Sequence, residues 1–169
     1  STQFQKYLKK IEKKLVIKIK YGFQDFYGNY KPMGTADALF QLMNQFQELR
    51  KIRFLVCNSD NIYSTKAIKL LLNESTYNSM IAYNYNCLKF SEDRLSSFSI
   101  LKIRENFLTG IIEKPNLETI KSFTIKYVSM NIFSFKGYQV YNYFKNCPVN
   151  IERKEKEIAT AIQNMISDN

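Results

Sequence analysis

Three short stretches carry residue types that can do chemistry on phosphates and sugars. The first is Asn58-Ser59-Asp60-Asn61, which follows directly on the apolar run Phe54-Leu55-Val56-Cys57. A carboxylate at the end of such a strand is aimed at the crevice where open α/β sheets bind ligands. With a triphosphate nearby, Asp60 is the kind of hard oxygen ligand that Mg²⁺ takes, with phosphates and water completing the shell. Aspartate is as commonly used to close a turn or to cap the residues that follow, here 61–64. The second stretch is Glu113-Lys114-Pro115. Pro115 ends a strand and fixes the direction in which Lys114 leaves it. Glu113 offers acceptors for sugar hydroxyls and Lys114 a compact cation for a phosphate; a surface ion pair would use the same two residues. The third is the loop from Gln24 to Gly34, which enters a helix at Thr35. Gly34 lets the backbone approach a ligand closely, and the free N–H groups of the helix start face outward toward an anion. An ordinary helix start capped by Thr35 is the plainer use of that sequence.

Composition narrows the chemistry. The chain has 169 residues, 45% of them apolar and 15% aromatic, which suits one globular domain with a real core. There is no histidine, which removes Ser-His-Asp and Cys-His catalysis and every His-based metal site. The three cysteines, Cys57, Cys87 and Cys147, are an odd number outside any CxxC, which fits a reducing, cytoplasmic setting. No stretch approaches 18 uninterrupted apolar residues, so no membrane span is predicted, and residues 1–14 lack the apolar region of a signal peptide. The net charge of +10 is spread along the chain. That favours solvated faces and anionic ligands over a nucleic-acid stripe.

These stretches must be positioned by regular elements. Phe4, Tyr7, Leu8 and Ile11 recur at helical spacing, so Thr2–Lys13 is predicted helical. Leu15, Ile17, Ile19 and Tyr21 then alternate with lysines, the period of a strand. Helical spacing returns from Thr35 to Leu49, and Phe54–Cys57 reads as a strand covered on both faces. Ser64 is placed to cap a helix, and Met80–Tyr83 is a second buried-strand candidate. Phe98–Ile103 and Phe107–Glu113 flank the turn Arg104-Glu105-Asn106 as a β-hairpin. Tyr127–Phe135 is another strand, and Tyr138–Phe144 and Glu155–Ile166 are predicted helices. The strand–helix–strand succession predicts a mixed, mainly parallel α/β sheet with a β-hairpin insertion.

Taken in order, the motifs resemble the sugar-phosphate nucleotidylyltransferases, enzymes that join an NTP to a sugar 1-phosphate. Pro32-Met33-Gly34-Thr35-Ala36-Asp37-Ala38-Leu39 is similar to the family's GTADAL-type loop, and Phe54–Ile62 to its LV-x-x-GDN-I strand and metal turn. Gly110–Pro115 is similar to its IxEKP element, Val128–Phe133 to its NAGIY-type strand, and Glu157–Ile162 to its E-x-L-T-D-A-I helix. The resemblance implies a single Rossmann-like three-layer domain over 1–169. It also implies that Gln24, Gly34 and Thr35 contact the nucleotide, Glu113, Lys114 and Asn131 hold the sugar phosphate, and Asp60 binds Mg²⁺. Asp60 and Lys114 would then serve an in-line attack on the α-phosphorus that expels pyrophosphate. Two family glycines are replaced, by Ser59 and Asn131, and no G-x-G-T-R-L loop precedes Gln24. The domain is therefore expected to be incomplete at its N-terminus, or else a relative that binds nucleotide or sugar phosphate without turnover. A homo-oligomer is compatible with either.

Overall fold

The computed structural model describes residues 2–89, 97–124 and 126–168. Its sheet is organised by the last strand in the chain, β5 (Tyr127–Lys136), against which three earlier strands pair. β1 (Arg53–Cys57) lies along the second half of β5, in register Arg53↔Lys136 to Cys57↔Ile132. β3 (Ile100–Arg104) lies on the same flank along the first half, through Ile100↔Val128 and Leu101↔Tyr127. β2 (Ser79–Asn84) covers the opposite flank, and β4 (Phe107–Ile112) extends the sheet beyond β3. Every pairing in this five-stranded sheet is antiparallel.

This corrects the expected mainly parallel, Rossmann-like sheet, and the reason is topological. β1 and β2 are joined through helix α3 (Thr65–Asn73) and run in the same direction, as a strand–helix–strand succession requires. They are not neighbours, because β5 enters between them in the opposite sense. Succession fixes the direction of two strands and leaves open what fills the space between them.

Two further expectations are corrected. Helix α1 (Thr2–Leu15) forms, but the alternating segment Ile17–Tyr21 pairs with no described strand. Its backbone is held instead to the end of α1, Ile17 N–H donating to Glu12 O (3.2 Å) and Ile19 N–H to the Glu12 carboxylate (2.6 Å). β1 is half-buried with Cys57 exposed, because among the described strands it pairs only with β5; it is not covered on both faces. β2 is likewise half-buried along most of its length.

The hairpin is where its turn predicts. Glu105 (φ 51°) and Asn106 (φ 67°) both adopt positive φ between the paired Arg104 and Phe107, the two-residue turn whose twist matches its strands. Helix α2 (Thr35–Gln45) stops short of Leu49, its last turn giving way to a 3₁₀ turn at 47–50. A short helix α4 (Leu117–Lys121) precedes β5, which runs straight into α5 (Gly137–Lys145). There the backbone of 49–52 passes so close that a Cβ on Gly137 would lie 1.8 Å from Leu49 O. Only glycine fits.

Alternation along β5 splits the core. Phe133 and Phe135 point to one face, where α2, α5 and α6 (Ile158–Ser167) supply Leu39, Met43, Val140, Phe144 and Ile162. Burying a side chain of this size contributes about 1.5–3 kcal/mol. A smaller cluster of Ile100, Ile120 and Val128 lies apart from it and fixes α4 beside β3 and β5.

Candidate functional site

β5 is not straight. Met80 pairs with Phe133 but Ala82 with Ser129, so β5 carries extra residues opposite β2, and Asn131 sits there at φ 54°. Asparagine is among the few side chains that adopt this conformation readily. On the other flank the same bulge falls in the gap between the end of β1 and the start of β3. Ser129 N–H bridges that gap to Ser99 O (2.9 Å).

Beside the bulge lies a cleft of about 390 Å³. Gln24, Gly34, Thr35, Glu113, Lys114 and Asn131 all line it, so every candidate position except Asp60 comes to one place. Each arrives for a local reason. Gly34 holds φ 97° and ψ 178°, and a Cβ there would meet Lys156 O at 2.6 Å. That close approach lets two backbone bonds tie the α2 loop to the segment before α6, Lys156 N–H to Met33 O (2.6 Å) and Ala36 N–H to Lys156 O (3.0 Å). Thr35 caps a different helix from its own: its hydroxyl accepts from Ile158 N–H (3.2 Å) at the start of α6. Gln24 is fixed by its amide, which donates to Gly34 O (3.1 Å) and to Asp37 Oδ2 (3.0 Å). β4 ends at Ile112, and beyond it Lys114 takes φ 43° ahead of the buried Pro115, which turns the chain sharply at the cleft wall.

The charges are mostly paired. Glu113 accepts from the Ser99 hydroxyl and faces Arg153 at 3.7 Å; Arg153 also pairs with Glu157. Lys31 binds Glu155 (2.7 Å) and Arg153 O (2.8 Å), which straps the 24–34 loop to the 150–157 segment. Lys114 is exposed and, among the described residues, has neither ion pair nor side-chain hydrogen bond. Of the cations lining the cleft, Lys31 and Arg153 are paired and Lys114 is not, among the described residues.

Several cleft residues went unnoticed in the sequence. Arg153, Glu155 and Glu157 lie in the charged run 152–157; the expected helix over Glu155–Ile166 begins only at Ile158, which leaves 155–157 as extended chain along the cleft. Asp37, outside the cleft lining but bonded to Gln24, also went unnoticed and is 1% exposed. It accepts from Gln24, from Gln41 Nε2 (2.8 Å) and from Tyr27 OH (3.4 Å). Partial desolvation of its hydroxyl, with the adjacent Asp37 carboxylate, raises the otherwise exposed Tyr27 phenol above its ordinary range.

Asp60 stands apart. It is exposed on the turn after β1, and its carboxylate makes no hydrogen bond or ion pair with the described residues. The turn itself is anchored by Tyr63, whose hydroxyl donates to Met130 O (2.7 Å), and by Asn61, whose amide reaches the same oxygen (3.2 Å). Asp60 is thus carried next to the β5 bulge without entering the cleft lining. It caps nothing: the N-cap of α3 is Ser64, which accepts from Ala67 N–H. Among the described residues no three His, Cys, Asp or Glu side chains gather as a metal cage. One free carboxylate does suit Mg²⁺ that arrives on phosphate oxygens, since such ions keep only one or two protein ligands. No protein-family model matches the chain, and no curated protein does either.

Proposed function

We propose that this cleft holds a sugar 1-phosphate beside a nucleotide, and that the chain serves transfer of a nucleotidyl group between them. The observation that carries this reading is the convergence of Gln24, Gly34, Thr35, Glu113, Lys114 and Asn131, from separate parts of the chain, on one cleft. Positive backbone φ at Gly34, Lys114 and Asn131 adds to it, because such conformations concentrate where a site is shaped. The reading rests on the cleft and takes nothing from the sheet, whose pairing is not the one the resemblance implied.

In this proposal Glu113 accepts from sugar hydroxyls, its ring of donors being incomplete, and Lys114 neutralises the sugar phosphate. Asn131 lines the sugar side, Gln24 meets the base, and Gly34 lets the base lie against its backbone. Thr35 acts by fixing α6. The sugar-phosphate oxygen attacks the α-phosphorus in line and pyrophosphate leaves, a reaction served by positioning and charge neutralisation without a covalent nucleophile. Asp60 would hold Mg²⁺, which when bound neutralises charge on the nucleotide's phosphates.

A second reading, binding without turnover, is favoured by the solitary position of Asp60. One experiment separates them: titrate NTPs and sugar 1-phosphates with and without Mg²⁺ while following pyrophosphate. Transfer expects Mg²⁺-dependent release that Asp60→Asn abolishes and Lys114→Met weakens. Binding that ignores Mg²⁺, with no pyrophosphate, leaves the second reading standing. No binding of any phosphate ester ends both.

A further inference from the structure

The amide of Gln24 can face only one way. Its two neighbours, Gly34 O and Asp37 Oδ2, are both acceptors, so the NH₂ group must point at them, 3.1 and 3.0 Å away. Asp37 has no freedom to reverse this. It is 1% exposed, and the groups that reach it from Gln24, Gln41 and Tyr27 are donors, which suits a carboxylate that only accepts. Its place in the first turn of α2 favours negative charge there. Gln41 is held in turn, its Oε1 accepting from Asp25 N–H (2.6 Å) and its amide donating to Asp25 O (3.0 Å). Gln24 lines the cleft, and its Oε1 has no partner among the described residues.

We infer that Asp37 is a positioning residue that makes Gln24 a pure acceptor, so that the cleft recognises the base by an N–H group on its Watson–Crick edge. This rests on the nucleotide reading proposed above and sharpens it. A free glutamine amide reads adenine with its donor and acceptor together. Here the donor half is occupied, and only the acceptor remains. A base that turns a tertiary nitrogen or a methylated amine to Gln24 leaves that oxygen unpaired, which costs affinity.

The test uses the whole chain. Of ATP, CTP, GTP and UTP, the best binder is compared with its analogue lacking the edge donors: N6,N6-dimethyladenosine, N4,N4-dimethylcytidine, 1,N2,N2-trimethylguanosine or 3-methyluridine triphosphate. The analogue is expected to bind at least about tenfold more weakly. In Asp37→Asn, where an NH₂ donor can replace one carboxylate oxygen, that ratio is expected to shrink toward unity. A merely structural role for Asp37 would weaken parent and analogue alike. Independently of any ligand, the Gln24 side-chain amide protons are expected to show slowed exchange in ¹⁵N spectra, as both are hydrogen-bonded. Equal affinity of parent and analogue overturns this inference and leaves the nucleotide reading intact. Failure of all four NTPs to bind overturns both, and fast-exchanging Gln24 amide protons overturn the positioning by Asp37.

Discussion

Replacing Gly34 with alanine probes the joint on which the cleft depends. Two costs add. The backbone holds φ 97° and ψ 178°, a region essentially restricted to glycine, and forcing an L-residue there costs about 1–3 kcal/mol. The new Cβ would also sit 2.6 Å from Lys156 O and 3.0 Å from Lys156 N, both backbone atoms that cannot swing aside. Relief requires the α2 loop to part from the segment before α6. That weakens the bonds Lys156 N–H to Met33 O and Ala36 N–H to Lys156 O, each contributing about 1 kcal/mol. The sum is about 3–5 kcal/mol, a large part of the about 5–15 kcal/mol by which domains are stable. Gly28 supplies the control: it also has positive φ, 76°, but a Cβ there would meet nothing within 4 Å. Gly28→Ala should therefore show the conformational cost alone, about 1–2 kcal/mol. Urea denaturation of both variants measures the difference. If the two fall within about 0.5 kcal/mol of each other, close approach at Gly34 does not hold the joint, and the argument from its geometry fails.

Three other perturbations have expected outcomes. Gly137→Ala places a Cβ 1.8 Å from Leu49 O and breaks the Gly137 N–H to Ile52 O bond (2.9 Å); a loss of at least about 3 kcal/mol in a urea melt, or failure to fold, is expected. Asn131→Val forces a β-branched residue to φ 54° and should cost about 1–2 kcal/mol, whereas Asn131→Gly should stay within about 0.5 kcal/mol of the parent. Burial pushes the Cys147 thiol above its ordinary value, so its neutral form is favoured in the folded state. That contribution is intact below the unfolded thiol's pKa and is lost as pH rises through the folded one. The fall in urea midpoint between about pH 8 and about pH 10 should be smaller in Cys147→Ala than in the parent.

How much of this was legible in the sequence depends on the kind of signal. The Glu105-Asn106 turn, the Ser64 cap and the helical stripes are local, and they mark α2, α3, α5, α6 and the hairpin, though not every helix end. Partner choice is not local. Nothing in Phe54–Cys57 or Met80–Tyr83 states that a strand from 127–136 will come between them, so the sheet's sense was misread. Period-2 alternation in Ile17–Tyr21 likewise describes a surface fit for a strand without supplying a neighbour. Gln24, Gly34, Thr35, Glu113, Lys114 and Asn131 were singled out by the order of the motifs, and what the structure adds is that they line one cleft. Asp37 and Arg153 were missed because a buried acid and a paired cation look, in sequence, like any solvated charge.

The position of β5 also bears on the order in which the molecule is assembled. Arg53–Cys57, Ser79–Asn84 and Ile100–Arg104 all await one strand that leaves the ribosome after them. At usual synthesis rates the delay from β1 to β5 is on the order of several seconds, long compared with hairpin formation. Among the described strands only β3 and β4 can pair meanwhile, so β1 and β2 remain without strand partners until residues 127–136 emerge. Arrival of that single segment closes the sheet on both flanks at once. Folding should therefore be late, long-range and cooperative, with the docking of β5 setting its pace.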